Sequence, residues 1–112
     1  MNMELDFKSE NGVTVLTMSG RLDSATSGPA EQKISEELSR GGSWIVLMRD
    51  LEYVSSAGLR VFLLMAKRLR AAGGKLALAE PAPGVREVLD ISGFSTIFTI
   101  CGDLNDARTA LQ

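Results

Sequence analysis

Trp44-Ile-Val-Leu-Met48 is an unbroken run of large apolar side chains, bounded by Gly41-Gly42 before it and Arg49-Asp50 after it. The run is too short for a helix and has the length of a strand. Successive side chains of a strand point to opposite faces, so this one needs apolar cover on both. Only a layered arrangement of sheet and helices supplies that cover, which places the chain in the α/β class. The preceding segment agrees. From Pro29 to Arg40 the apolar positions Ala30, Ile34 and Leu38 recur at helical spacing, and Gly41-Gly42 ends the helix. Before that helix, Val13 to Ser19 alternates apolar and polar side chains, as a half-buried strand does. Strand, helix and doubly buried strand in succession imply a right-handed parallel crossover.

The same reading extends in both directions. Met3 to Lys8 alternates, and Glu10-Asn11-Gly12 separates it from the next strand, a hairpin signal that predicts an antiparallel opening pair. Gly20-Arg-Leu-Asp23 is expected to leave the sheet, with Ser24 or Thr26 capping the first helix. A second helix is expected over Leu59–Leu69 and is stopped by Ala71-Ala-Gly-Gly74. Lys75–Ala79 reads as another buried strand, and Pro81-Ala-Pro83 leads to a short helix near Gly84–Ile91. Thr96–Ile100 is expected as a last strand and Asp103–Leu111 as a last helix, opened by Asp103. No repeat or linker interrupts the chain. The expectation is one domain over residues 1–112, with a mixed sheet of four or five strands and helices packed chiefly on one face.

Composition narrows the chemistry. Twelve Lys and Arg against fourteen Asp and Glu give no bulk attraction to nucleic acid or anionic lipid. There is no His and a single Cys, Cys101, so a His general base, a Cys–His dyad, a His metal site and a disulfide framework are all excluded. Neither a metal nor a cofactor is expected. The first residues lack the pattern of a signal peptide, and no apolar stretch is long enough to span a membrane, so a cytoplasmic location is expected.

The informative segment is Asp50-Leu-Glu-Tyr-Val-Ser-Ser-Ala-Gly-Leu-Arg60, which joins a buried strand to a helix. Such junctions carry the ligand or partner sites of α/β domains. Ser55 and Ser56 fall at the start of the helix, where unpaired amides and the positive end of the helix dipole favour an oxygen ligand. Two readings follow from the residues. Either serine caps the helix, or one of them accepts a phosphate that meets a helix start suited to it.

Four pieces of the sequence, in order and at matching spacings over nearly all of the chain, resemble the STAS domains, specifically the bacterial anti-sigma-factor antagonists (anti-anti-sigma factors). Gly20-Arg-Leu-Asp23 is similar to that family's Gly-x-Leu/Ile-Asp, and Asp50-Leu-Glu-Tyr-Val to its strand exit. Ser55-Ser-Ala-Gly-Leu59 resembles its Asp-Ser-Ser/Thr-Gly-Leu signature, and Asp90-Ile-Ser-Gly-Phe94 its Asp-x-x-Gly-Leu/Phe. The resemblance implies a switch protein rather than an enzyme. Its partner would be an anti-sigma factor that is also a serine kinase, bound only by the unmodified antagonist, and a serine phosphatase would reset the cycle. The implied phosphoacceptor is Ser56, with Ser55 as second choice. Ser55 stands in the family's Asp position and Ala57 in that of its second Ser/Thr, which removes one negative charge beside the acceptor. The implied partner surface comprises Asp23, Ser24, Ser55, Ser56, Gly58, Leu59 and Arg60, with Gly58 admitting a partner backbone at close range.

Other features read more plainly. Asp23 either contacts a partner or caps the first helix through its neighbours. Arg60, Lys67, Arg68 and Arg70 form a solvated helix face, Phe62 and Met65 face the core, and Cys101 is a small buried hydrophobe. Gly73-Gly74 lacks the lysine and hydroxyl of a phosphate-binding loop. Two alternatives stand beside the switch. One is a STAS scaffold or accessory subunit without phosphoregulation, as in lipid-transport or sensory assemblies. The other is an enzyme with Ser56 as nucleophile, for which the sequence places no base.

Overall fold

The computed structural model describes residues 3–112, so the first two residues of the expected domain lie outside the described residues. A five-stranded sheet runs in spatial order β1 (Met3–Glu10), β2 (Val13–Leu22), β3 (Ser43–Val54), β4 (Leu76–Ala79), β5 (Thr99–Cys101). The β1–β2 pair is antiparallel and every later pair is parallel. The hairpin turn is Asn11-Gly12, both with positive φ, the geometry that matches the twist of tightly joined strands. Helices α1 (Ser27–Leu38), α2 (Ser56–Ala71), α3 (Pro83–Ile91) and α4 (Leu104–Ala110) fill the crossovers and the C-terminal end.

The central strand is covered on both faces. Trp44, Val46 and Met48 enter the larger core with Ile34 and Leu38 of α1, Phe62 and Met65 of α2, and Val85 and Leu89 of α3. Ile45 and Leu47 point the other way, to a smaller core shared with Val15, Ala77, Ala79 and Ala107 of α4. Three helices therefore lie on one face of the sheet and one on the other, as the expected architecture required. Each large aliphatic side chain removed from water here contributes about 1.5–3 kcal/mol. Trp44 is fully buried and meets Phe7 edge-on, with ring centroids 5.8 Å apart.

Three boundaries differ from the sequence reading. Gly20-Arg-Leu22 does not leave the sheet: β2 continues through it, and β3 continues to Val54. Across this stretch the pairing slips twice. Thr17 faces Leu47 and Ser19 faces Asp50, then Gly20 faces Leu51 and Arg21 faces Tyr53, so β3 carries an extra residue at each step. The slips let Met48, Leu51 and Val54 all enter the larger core although strict alternation would send them to different faces. The last strand begins at Thr99 rather than Thr96. Gly93, with φ of 83°, turns the chain into a 3₁₀ turn over Phe94–Thr96, and Phe94 stacks on Phe98. Finally, neither Ser24 nor Thr26 caps α1 by a side-chain hydrogen bond. Thr26 occupies the cap position, and its hydroxyl is engaged upstream instead. Asp103 does open α4, accepting from the amide of Asp106 at 2.8 Å. Among the described residues, no helix is long and apolar enough to cross a membrane.

Candidate functional site

Leu22 pairs with Val54 at the ends of β2 and β3, so the segments that follow, Asp23–Thr26 and Ser55–Arg60, leave the sheet side by side. Topology thus brings together two of the motifs singled out in the sequence, at the carboxyl ends of parallel strands, where α/β domains place their sites.

The two serines have different tasks. Ser55 is in extended conformation at the cap position of α2, and its Oγ accepts from the amide of Gly58 at 3.2 Å. Its own amide donates to the carbonyl of Leu22 at 2.9 Å, and its carbonyl accepts from Leu59 at 2.9 Å. Ser55 is half-buried and fully occupied in starting the helix. Ser56 is the first residue of α2, exposed, and the amides of Ser56 and Ala57 have no acceptor among the described residues. The cap reading therefore fits Ser55, and the free hydroxyl belongs to Ser56. No His exists in the chain to deprotonate it. The Ser56 hydroxyl is exposed and makes no hydrogen bond among the described residues.

Gly58 has an internal packing role beside the expected one of admitting a partner. It is buried, and the backbone that approaches it is the chain's own: a Cβ there would stand 2.7 Å from the carbonyl oxygen of Leu22 and 2.9 Å from its Cγ. The missing side chain lets α2 seat against the end of β2. Gly58 is thus a packing residue at the seam of α2 and β2. Leu59 is half-buried against the larger core, and Arg60 is exposed one turn beyond Ser56.

Asp23 organises the neighbouring turn. Its carboxylate accepts from the amides of Thr26 at 3.1 Å and Ala25 at 2.9 Å, while Thr26 Oγ1 accepts from the Asp23 amide and donates to the carbonyl of Arg21. Hydrogen bonding from Thr26 above all, then from Ala25, with Arg21 3.8 Å away, holds the carboxyl below the usual aspartate range. Ser24 at the tip is exposed. Arg21 also lies over the ring of Tyr53, 4.4 Å from its centroid, and Tyr53 is 40% exposed. Leu22, Arg21 and Tyr53 were not among the expected partner residues. Leu22 stands in the Gly20-Arg-Leu-Asp23 motif, but only the strand pairing shows that its carbonyl holds the Ser55 amide and that its backbone and side chain pack against Gly58. Asp90, in the last of the four motifs, is likewise local: Ser95 and Arg86 bond its carboxylate and lower its pKa.

Known proteins share this fold. The STAS domain family model matches residues 4–107. BtrV of Bordetella bronchiseptica, a candidate anti-sigma factor antagonist, is 38% identical over 111 residues, covering 98% of this chain and 96% of that protein. Among solved structures, an anti-sigma factor antagonist from Mycobacterium paratuberculosis superposes with a TM-score of 0.88 at 23% identity, covering 97% of this chain and 93% of that one. SpoIIAA, a Bacillus cell fate determinant and anti-sigma factor antagonist, superposes in its unphosphorylated form with a TM-score of 0.77 at 24% identity, over 94% of this chain and 91% of that one. SpoIIAA has also been solved phosphorylated, with a TM-score of 0.71 at 22% identity, over 98% of this chain and 99% of that one. A family match over nearly the whole chain and a relative at this identity leave one assignment: the chain belongs to the STAS domain family.

Proposed function

We propose that residues 1–112 act as one phosphorylation-controlled binding module, an anti-sigma-factor antagonist working in the cytoplasm. Unmodified, it sequesters an anti-sigma factor and so frees a sigma factor. The observation that carries this reading is the division of labour at the head of α2, where Ser55 is consumed as the cap and Ser56 presents a free, exposed hydroxyl. The partner is a serine kinase as well as a binding target. Ser56 Oγ attacks the γ-phosphorus of ATP held by that kinase, ADP leaves, and the hydroxyl proton passes to a base on the kinase. A serine phosphatase hydrolyses the phosphoester and restores the binding form. The module itself catalyses nothing.

Charge accounts for the release. Phosphate adds about −1.5 to −2 at pH 7. A partner surface fitted to a neutral hydroxyl then has to desolvate a dianion, which weakens the complex without any change in the fold.

Calorimetry of the full chain with its anti-sigma factor tests this. Ser56→Ala should bind like the parent. Ser56→Asp should bind more weakly, and the phosphorylated protein weaker still, because aspartate has about half to two-thirds of the charge and fewer acceptor oxygens. Mass spectrometry after incubation with the kinase and ATP should place the phosphate on Ser56. Equal binding by Ser56→Asp and the parent, or a phosphate on another residue only, would overturn the reading in favour of a scaffold without phosphoregulation.

A further inference from the structure

We propose that Arg60 is the positioning residue for a phosphate on Ser56, pairing with it along one turn of α2 and holding it at the helix start. The proposal rests on Ser56 being the phosphoacceptor and says how the modified state is held. Ser56 and Arg60 are four residues apart on the same exposed face of α2. Residues at this spacing stand one above the other, with Cβ atoms about 5–6 Å apart. Helical side chains lean toward the N-terminus, so Arg60 reaches back over Ser56, and an anion placed before a cation is the favourable order.

Arg60 is also the uncommitted cation at this end of the molecule. It makes no ion pair among the described residues, and α2 contains no Asp or Glu that would compete for it. The other guanidinium nearby, Arg21, is engaged by Asp23 at 3.8 Å and by the Tyr53 ring at 4.4 Å. Lys67 lies roughly 10 Å further along the helix axis than Arg60, at 1.5 Å rise per residue. Asp23, just after β2, and Glu52, two residues before the end of β3, are the acidic groups nearest in sequence to those strand ends, and both repel a phosphate. A phosphate on Ser56 therefore meets two free amides, those of Ser56 and Ala57, and one free guanidinium. Arginine's planar fork suits it to grip two phosphate oxygens at once.

The test is a ³¹P NMR titration of the full chain with phosphoserine installed at position 56 by semisynthesis. In the parent, the second ionisation of the phosphate should fall below its ordinary value of about 6. Arg60→Gln should raise it by roughly 0.2–0.4 unit, Arg60→Lys should fall between the two, and Lys67→Gln should match the parent. Arg60 is exposed, so these variants should melt together with the parent. Coincident titrations of Arg60→Gln and the parent would overturn the proposal, as would an equal shift in Lys67→Gln. Because the phosphate is installed chemically, this outcome is independent of which residue a kinase modifies. Failure of the clamp and failure of the switch are thus read in separate experiments.

Discussion

Replacing Gly58 with alanine puts one methyl group into the seam between α2 and the end of β2. The new Cβ would lie 2.7 Å from the carbonyl oxygen of Leu22, 2.9 Å from its Cγ and 3.1 Å from its Cδ2. The first of these is backbone, so a side-chain rotation does not relieve it. Either α2 or the end of β2 has to shift. Inserting a methyl group into a packed site typically costs about 1–3 kcal/mol. The same carbonyl accepts the Ser55 amide at 2.9 Å, and a shift that breaks this bond removes about 1 kcal/mol more. Against this stands the helix preference for alanine over glycine, at most about 1 kcal/mol. The net expectation is a loss of about 1–3 kcal/mol. For a domain of this size that lowers the melting temperature by roughly 4–12 °C. Circular dichroism melts and urea titrations of the full chain measure it directly. Gly28→Ala serves as the counterpart, because Gly28 is an exposed residue of α1 and a methyl group added there would have no atom within 4 Å. It should gain about 0.4–1 kcal/mol. If Gly58→Ala melts at or above the parent while Gly28→Ala gains as expected, the seam yields freely and the packing role of Gly58 is wrong.

Two further outcomes follow from the same region. Ser55→Ala should lose about 1 kcal/mol of stability through the missing cap, whereas Ser56→Ala should leave the melting temperature within a degree or so, since its hydroxyl holds nothing in the fold. Acidification should unfold the domain in part through Asp23 and Asp90, whose carboxyls are held below the ordinary aspartate range by Thr26 and Ser95 respectively. Their stabilisation is present above about pH 4 and is lost as pH falls further and they protonate. Ser95→Ala, which removes the hydroxyl that bonds Asp90, should flatten that acid limb when stability is followed by urea titration from about pH 6 down to 3.

Most of the fold was legible because it is written in local chemistry. Asn11-Gly12 gives the hairpin, Trp44–Met48 the buried strand, and Gly41-Gly42 the end of α1. What escaped was produced by pairing between distant segments. Gly20-Arg-Leu-Asp and Arg49-Asp-Leu-Glu look like loops because charge and glycine interrupt the alternation. In the folded chain the two register slips realign Leu51 and Val54 with the core, so the strands run on. The end of the chain was displaced by three residues for a related reason: Thr96-Ile-Phe-Thr-Ile has strand composition, yet Gly93 and the Phe94–Phe98 stack wind its first part into a turn. At the site, the signature motif identified the serines. Only the contacts separate Ser55 as cap from Ser56 as free hydroxyl, and only the position of Leu22 explains Gly58.

Helix α4 has a consequence for how the chain is made. It follows every strand and the other three helices in chain order, and among the described residues it alone supplies helical cover for Val15, Ile45, Leu47, Ala77 and Ala79. During synthesis those side chains emerge well before Ala107 and Leu111. At ~5–20 residues per second, the interval is a few seconds. The face carrying Ser56 can close in that time, since α1, α2 and α3 have already emerged, while the opposite face of the sheet stays bare. A nascent chain in this state presents a strand-rich apolar surface to its neighbours, the condition under which partly folded domains aggregate. Once α4 docks, Arg108 bonds Glu10 at 2.8 Å and ties the last helix to the first strand. A chain cut short before α4 would therefore have the Ser56 face packed and an adhesive back.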